Sequence, residues 1–295
     1  MTFPPVRICL IVTLLAALAA ISQRAEAEAP HRIVSFNVCA DQLVLALADP
    51  EQIVGLSPYA TDTSISVVAE LARAFRRVPL QAESVIPLDP DLVLVAPSFR
   101  VVTQPILKAL GFNVVEVDLI NDLAAGRAQI RQFAALLGHP ERGEKLIAEI
   151  DTARDRLVAA PRPRNSTALL IANGGYTVGP DSLAASLMDE AGLVPPPGAP
   201  KGFGGIVPLE KLIALRPDYL VMSSLVEEAN GQGALYLTHP ALHALYPPGR
   251  RIILPARYTI CGGPSLVAAL DYLTGVVTRR AADPGTMPVV PPTPR

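Results

Sequence analysis

Residues 139–161 read HPERGEKLIAEIDTARDRLVAAP, and the plan of the chain follows from this stretch. Pro140 suits a first helical position, where its missing N–H would be unpaired in any case. Glu141 and Glu144 place negative charge in the opening turns, and Arg154 and Arg156 place positive charge near the end, the polarity a helix dipole favours. Leu146, Ile147, Ile150 and Leu157 recur at helical spacing as one apolar stripe. Pro161-Arg162-Pro163 stops the run. The spacing predicts a single helix over Glu141 to Ala159, a rod roughly 28 Å long at about 1.5 Å per residue.

The segments on either side of this rod repeat each other. Residues 83–95 read ESVIPLDPDLVLV and residues 210–222 read EKLIALRPDYLVM. Without gaps, Glu83 falls on Glu210, Ile86 on Ile213, Leu88 on Leu215, Pro90 on Pro217 and Asp91 on Asp218, at a constant offset of 127 (210 − 83, 218 − 91). Each copy reads as a short helix, a Pro-Asp turn and a buried apolar strand. Pro-Asp turns before strands are common, so coincidence is the competing account. The repeat predicts two similar halves joined by the rod, with the two copies in different sheets.

Residues 1–27 read as a targeting segment. Arg7 supplies a weak positive start, Ile8 to Ile21 form a nearly unbroken apolar core, and Ala25-Glu26-Ala27 gives a small-x-small cleavage pattern. The apolar run is short for a membrane span, and the alternative is an uncleaved anchor. Cleavage after Ala27 leaves 23 basic against 26 acidic residues, a net charge of −3. Such mild acidity argues against a nucleic-acid binder, which needs a concentrated basic face. With 50% apolar residues the chain can build two ordinary cores, and with only Cys39 and Cys261 beyond the leader it is no disulfide-dense scaffold.

Along the chain, strands alternate with helices. Strands are expected at 32–36, 53–56, 92–96 and 114–117, with helices at 42–48, around 67–75 and at 106–110, and an amphipathic helix capped by Asn121 runs to Leu137. After the rod, strands are expected at 168–172, 219–222 and 251–254, with helices at 182–191, 241–245 and 265–278. Asn173 to Tyr176 and Val194 to Gly205 read as loops. Strand–helix alternation predicts parallel sheets covered on both faces, an α/β fold of two similar lobes. The expected boundaries are residues 1–27 for the leader, 28–138 for the first lobe, 139–161 for the linking helix, 162–280 for the second lobe and 281–295 for a disordered proline-rich tail.

The ordered set RIVSFNVCADQLVLALA, IVGLSPYATD, ESVIPLDPDLVLV, the linking helix and LEKLIALRPDYLV resembles the periplasmic binding proteins of iron-siderophore and vitamin B12 ABC importers, over roughly residues 31–278. The resemblance implies a soluble periplasmic monomer with a ligand cleft between its lobes. It implies no catalytic machinery and no resident cofactor, and its partners would be a metal chelate and an inner-membrane permease dimer. It points to Tyr59, Tyr176 and Tyr258 as aromatic cleft positions, and Phe203 lies in a loop facing the same cleft. Arg100 and Arg257 could pair with anionic groups of a ferric chelate. Glu83 and Glu210 match the acidic positions that dock on permease arginines; charge at a helix N-terminus is the plainer reading. The chain has no tryptophan, which weakens stacking on a flat corrin and favours a ferric siderophore over cobalamin.

Cys39 and Cys261 occupy matching places at strand–helix turns, facing the cleft from opposite walls. Two free thiols flanking the ligand is the favoured reading; a disulfide across the site, or two unrelated small residues, are the others. Cys39 at a helix start could also serve an enzyme as nucleophile, although no histidine is placed by sequence as its base. His239 and His243 stand four apart but without the HExxH pattern, and four histidines in all are too few for a metal-receptor cleft, so His239 reads as a helix-start residue.

Overall fold

The computed structural model describes residues 29–99, 101–161, 166–223 and 234–282. The expected leader, Arg100 and the tail beyond residue 282 lie outside the described residues. In the first lobe β1 (Ile33–Ser35) passes through Asn37 into α1 (Val38–Leu47). The Asn37 side chain accepts the N–H groups of Cys39 (2.6 Å) and Ala40 (3.1 Å), so this helix starts before Gln42: residues read as a turn are its cap and first turn. There follow β2 (Ile53–Gly55), α2 (Ala69–Ala72), β3 (Leu92–Val95), α3 (Thr103–Ala109), β4 (Val114–Glu116) and α4 (Leu123–Leu136). The cap of α4 is Asp122, whose carboxylate accepts Ala125 N–H at 2.7 Å, and not the expected Asn121.

The predicted rod is α5 (Pro140–Ala159), one helix of 20 residues starting on its proline. Beyond it come β5 (Ser166–Leu170), β6 (Tyr176–Val178), α6 (Leu183–Glu190), β7 (Leu193–Val194), β8 (Gly204–Ile206), α7 (Leu209–Leu215) and β9 (Tyr219–Met222). The chain ends on α8 (Ala234–Leu237), α9 (Pro240–Leu245), β10 (Arg251–Ile253) and α10 (Pro264–Ala282). Helix α10 takes in Ala281 and Ala282, which had been assigned to the disordered tail; alanine is the best helix former and continues the turn that Arg280 starts.

The lobes are two parallel sheets with one connectivity. Strand order is β2-β1-β3-β4 in the first and β7-β5-β9-β10 in the second, every neighbouring pair parallel. The repeat copies therefore lie in different sheets, at the equivalent strands β3 and β9. Their turns match in detail. Asp89 (φ 42°) and Arg216 (φ 41°), 127 apart, are the left-handed non-glycine residues among those described. Asp91 accepts the N–H groups of His31 (2.7 Å) and Arg32 (2.9 Å) at the start of β1. Asp218 accepts the N–H and hydroxyl of Thr167, both at 2.8 Å, at the start of β5. Each aspartate thus pins the neighbouring strand of its own sheet.

The copies differ in one respect. Residues 209–215 form a helix, whereas the first copy is two 3-10 turns, Ala82–Ser84 and Ile86–Leu88, in place of the helix read from sequence. Pro87 explains it: this position has no N–H to donate, and its counterpart is Ala214. The second lobe also carries an antiparallel ribbon of β6 and β8 built partly from residues read as loop. Glycine-rich sequence hid it, and the ribbon needs those glycines. A Cβ on Gly204 (φ 115°) would fall 2.1 Å from the Thr177 carbonyl oxygen, and one on Gly179 would fall 2.2 Å from that of Gly202.

One apolar cluster runs through both lobes. It joins Ile33, Leu43 and Ile130 of the first to Leu170, Leu187 and Leu266 of the second by way of Leu146, Ile150 and Leu157 on α5. Helix α5 packs chiefly against α4 and α10.

The matched turns yield a test. The hydrogen bonds from Thr167 hold the Asp218 carboxyl below the usual carboxylate range. The stability they contribute is therefore present above the unfolded-state value and is lost as pH falls from there through the lower folded-state value. Asp218→Ala should cost about 1 kcal/mol at neutral pH, measured by chemical denaturation. The loss should shrink at acidic pH; equal losses at pH 3 and pH 7 would contradict this role.

Candidate ligand cleft

The main cavity opens between the lobes and holds about 540 Å³. The first lobe supplies Leu119, Ile120 and Asn121, which follow β4. The second supplies Ala172 beyond β5, Val178 and Asp181 to Ala184 around the start of α6, Phe203 of the ribbon, Ser223 beyond β9, and Leu254, Ala256, Thr259 and Ile260 beyond β10. The loops after β4, β5, β9 and β10 lie at the carboxyl ends of parallel strands, where ligands of open α/β sheets sit, and the remaining wall comes from the antiparallel ribbon region and the start of α6. The walls are mostly apolar. Their polar groups are Asn121, Asp181, Ser182, Ser223 and Thr259, and among the described residues no lysine or arginine lines them.

The structure distributes the expected ligand residues over three places. Phe203 forms part of the main wall and is 74% exposed. Tyr176, half exposed on β6, directs its hydroxyl to the Phe203 carbonyl at 3.5 Å and so flanks that wall. Tyr59 is half exposed on the 3-10 turn Pro58–Thr61 of the first lobe. Arg257 and Tyr258 instead line a second, smaller cavity of about 200 Å³ with Thr63, Ser66, Val67 and Glu70. There the Arg257 guanidinium donates to the Thr63 carbonyl (3.2 Å) and the Tyr258 hydroxyl (3.3 Å) and lies 5.0 Å over the Tyr258 ring. Tyr258 stacks on Tyr272 with centroids 4.8 Å apart. Of these two side chains, Arg257 makes the contact to the first lobe, and Tyr258 is held by Arg257 and Tyr272.

The cysteines require a correction. They are not two thiols flanking a ligand but one disulfide, Cys39–Cys261, with Cα atoms 5.0 Å apart, inside the range a bond needs. The N-termini of α1 and α10 meet here because glycines let the backbone approach. A Cβ on Gly263 would stand 3.0 Å from Leu43, and one on Gly262 would stand 2.9 Å from Gln129 and Ile120. Cys261 is 1% exposed and directly follows Thr259 and Ile260, which line the cleft.

Asp41 organises the loop that carries Tyr59. It is fully buried and accepts the Ser57 N–H (3.0 Å) and hydroxyl (2.5 Å), while the Ser57 oxygen accepts Tyr59 N–H at 3.2 Å. Burial pushes its carboxyl up to about 6, against the pull of the hydrogen bonds from Ser35 and Ser57. Sequence reading missed Asp41, which is silent on its own, and also Asp181, Ser182 and Ser223. The signal for Ser223 was its place just after β9; Asp181 and Ser182 follow β6, which the sequence did not show as a strand.

Among the described residues no cluster of three or more His, Cys, Asp or Glu side chains could hold a metal ion, and no helix is long and apolar enough to cross a membrane. His239 caps α9, its ring nitrogen accepting Ala241 N–H at 3.2 Å, as its helix-start reading requires.

Comparison with known proteins adds the following. The family model described as periplasmic binding protein matches residues 33–238. A cobalamin-binding protein of Halobacterium salinarum is 27% identical over 172 residues, 55% of this chain and 45% of that protein, so the match spans about half the length of the relative. The apo periplasmic heme-binding protein RhuT from Roseiflexus sp. RS-1 superposes with a TM-score of 0.68 at 27% identity, covering 85% of this chain and 99% of that one. The periplasmic vitamin B12 binding protein BtuF of Vibrio cholerae superposes with a TM-score of 0.63 over 86% of this chain and 98% of its own, at 17% identity, a likeness of fold.

Two outcomes are expected. Protein lacking residues 1–27 should show no free thiol when denatured without reductant, and Cys39→Ser/Cys261→Ser should lose about 2–5 kcal/mol of stability. For Asp41, raised above its unfolded value, the favourable state is the protonated one. Stability from this group is fully present below pH 4 and is lost as pH rises through about 6. Asp41→Asn should flatten that part of the stability–pH curve, and an unchanged slope between pH 4 and 6 would refute the assignment.

Proposed function

The chain belongs to the periplasmic binding protein family, and from that premise we propose that it captures a metal chelate with broad apolar faces, a metallated tetrapyrrole, and delivers it to an ABC permease. The observation that carries this reading is the 540 Å³ interlobe cavity with apolar walls and a sparse polar fringe. Apolar area gives affinity for flat macrocycle faces, and a few placed polar groups orient the edge. The names of the two relatives at 27% identity, a cobalamin-binding and a heme-binding protein, support the same ligand class. A ferric siderophore, favoured from the sequence, carries concentrated anionic oxygens that call for guanidinium partners. Arg257 is engaged elsewhere, and the described walls offer no cation. The cysteine-enzyme alternative loses its nucleophile, since Cys39 is in a disulfide.

Delivery has its own support. Glu83 and Glu210 are both exposed and sit at equivalent places of the two lobes, one at the first 3-10 turn of its copy and one in the first turn of α7. Two like charges related by the internal repeat suit the two halves of a permease dimer. Export through residues 1–27 would bring the chain to the periplasm, where such a permease is reached.

The test uses the tyrosines, because the chain has none of the tryptophan fluorescence that would mask them. Cyanocobalamin, hemin or both should quench tyrosine emission with one-to-one stoichiometry and a micromolar or tighter Kd, and a ferric catecholate should bind at least tenfold more weakly. Preference for the ferric catecholate would overturn the ligand class. Glu83→Ala/Glu210→Ala should keep this Kd while reducing uptake; full uptake by the double variant would remove the docking role.

A further inference from the structure

We infer that Asp181 sets the charge preference of the cleft, admitting chelates fringed with neutral amides or amines and disfavouring those fringed with carboxylates. The inference rests on the tetrapyrrole reading above. Asp181 is the one charged side chain among the described walls of the main cavity. It is exposed, and its carboxylate has no hydrogen-bond or ion-pair partner among the described residues. Its backbone is held from two sides. Its own N–H donates to the Gly202 carbonyl at 3.0 Å. The next residue, Ser182, donates its hydroxyl to the Gly179 carbonyl (2.7 Å) and accepts Ala185 N–H (3.2 Å) as the cap of α6. The β6–β8 ribbon behind it is locked by backbone approaches that only glycine permits. The backbone that carries the carboxylate is therefore anchored on both sides.

A fixed negative charge beside apolar walls is screened less than one in open water. A carboxylate on a bound ligand would repel it, whereas a ligand amide would give it a charge-assisted hydrogen bond. Asn121 and Ser223 around the same cavity can both donate to and accept from amides, the hydroxyl protons of Ser182 and Thr259 being given to the Gly179 and Ala256 carbonyls, and none of the four supplies the positive charge a carboxylate fringe requires. Within the tetrapyrrole class this favours a macrocycle edged with amides over one edged with propionates.

The experiment compares cyanocobalamin, whose fringe is amide, with hemin, which carries two carboxylates, on the full mature chain and on Asp181→Asn and Asp181→Lys. Melting temperatures close to wild type confirm folding, as expected for an exposed side chain. The ratio of hemin to cobalamin affinity should rise roughly five- to tenfold in Asp181→Asn and further in Asp181→Lys, and added salt should narrow the gap in the wild type. If wild type binds either ligand but the ratio moves less than twofold in both variants, the inference is overturned. If wild type binds neither ligand, the tetrapyrrole reading itself has failed, and the inference falls with it before any variant is measured.

Discussion

The lobes depend on the burial of one face of α5. Helix α5 packs against α4 of the first lobe and against α10, and this packing fixes how the lobes meet. Leu146, Ile147, Ile150, Ala153 and Leu157 are all buried on this helix, and each large aliphatic side chain contributes roughly 1.5–3 kcal/mol when removed from water. Gly143 lets α4 come close, since a Cβ there would lie 2.5 Å from that of Ala134. Around this buried stripe α5 carries Arg154–Glu190 to α6 and Arg156–Asp271 to α10 (2.9 and 2.6 Å), with Arg131–Glu144 (2.7 Å) and Arg127–Asp151 to α4. Exposed pairs of this kind add little energy. Their effect is to set which turn of each helix meets which.

A second connection lies at the other end of the chain. The segment after β10 leaves the second lobe, touches Thr63 through Arg257, bonds Cys39 through Cys261 and passes its glycines against α1 and α4 before α10 returns along α5. The disulfide and the packing of α5 therefore join the lobes at two separated points.

Much of this architecture was legible because it depends on local chemistry. Pro140, the charge gradient and the apolar stripe announced α5, and the 127-residue offset announced two equivalent sheets. The cap at Asn37 was misread because a residue that ends a strand and one that starts a helix look alike in isolation. Pro87 was visible, yet its consequence for the first copy was outweighed by the match to its helical partner. The ribbon of β6 and β8 escaped because glycines that permit close backbone approach have the composition of a loop. The cleft was legible only as strand ends. Phe203 sits in its wall, whereas Arg257 and Tyr258 line the smaller cavity and the two cysteines form a bond between the lobes. That division is a matter of three-dimensional neighbours, which residue type does not encode.

The internal repeat and the cleft answer to different constraints. The features that match across 127 residues are the strand order, the Pro-Asp turns, the aspartates that pin β1 and β5, and the exposed Glu83 and Glu210. A permease built as a dimer presents two related surfaces, so a chain meeting both gains from keeping its outer features paired. A chelate has no such symmetry. The main cavity draws three residues from the first lobe and the rest of its described wall from the second. The β6–β8 ribbon that supplies Phe203 and braces Asp181 has no counterpart in the first sheet. On the proposed function, the paired elements are the ones offered to the permease, and the ribbon, which breaks the pairing, is the one offered to the ligand.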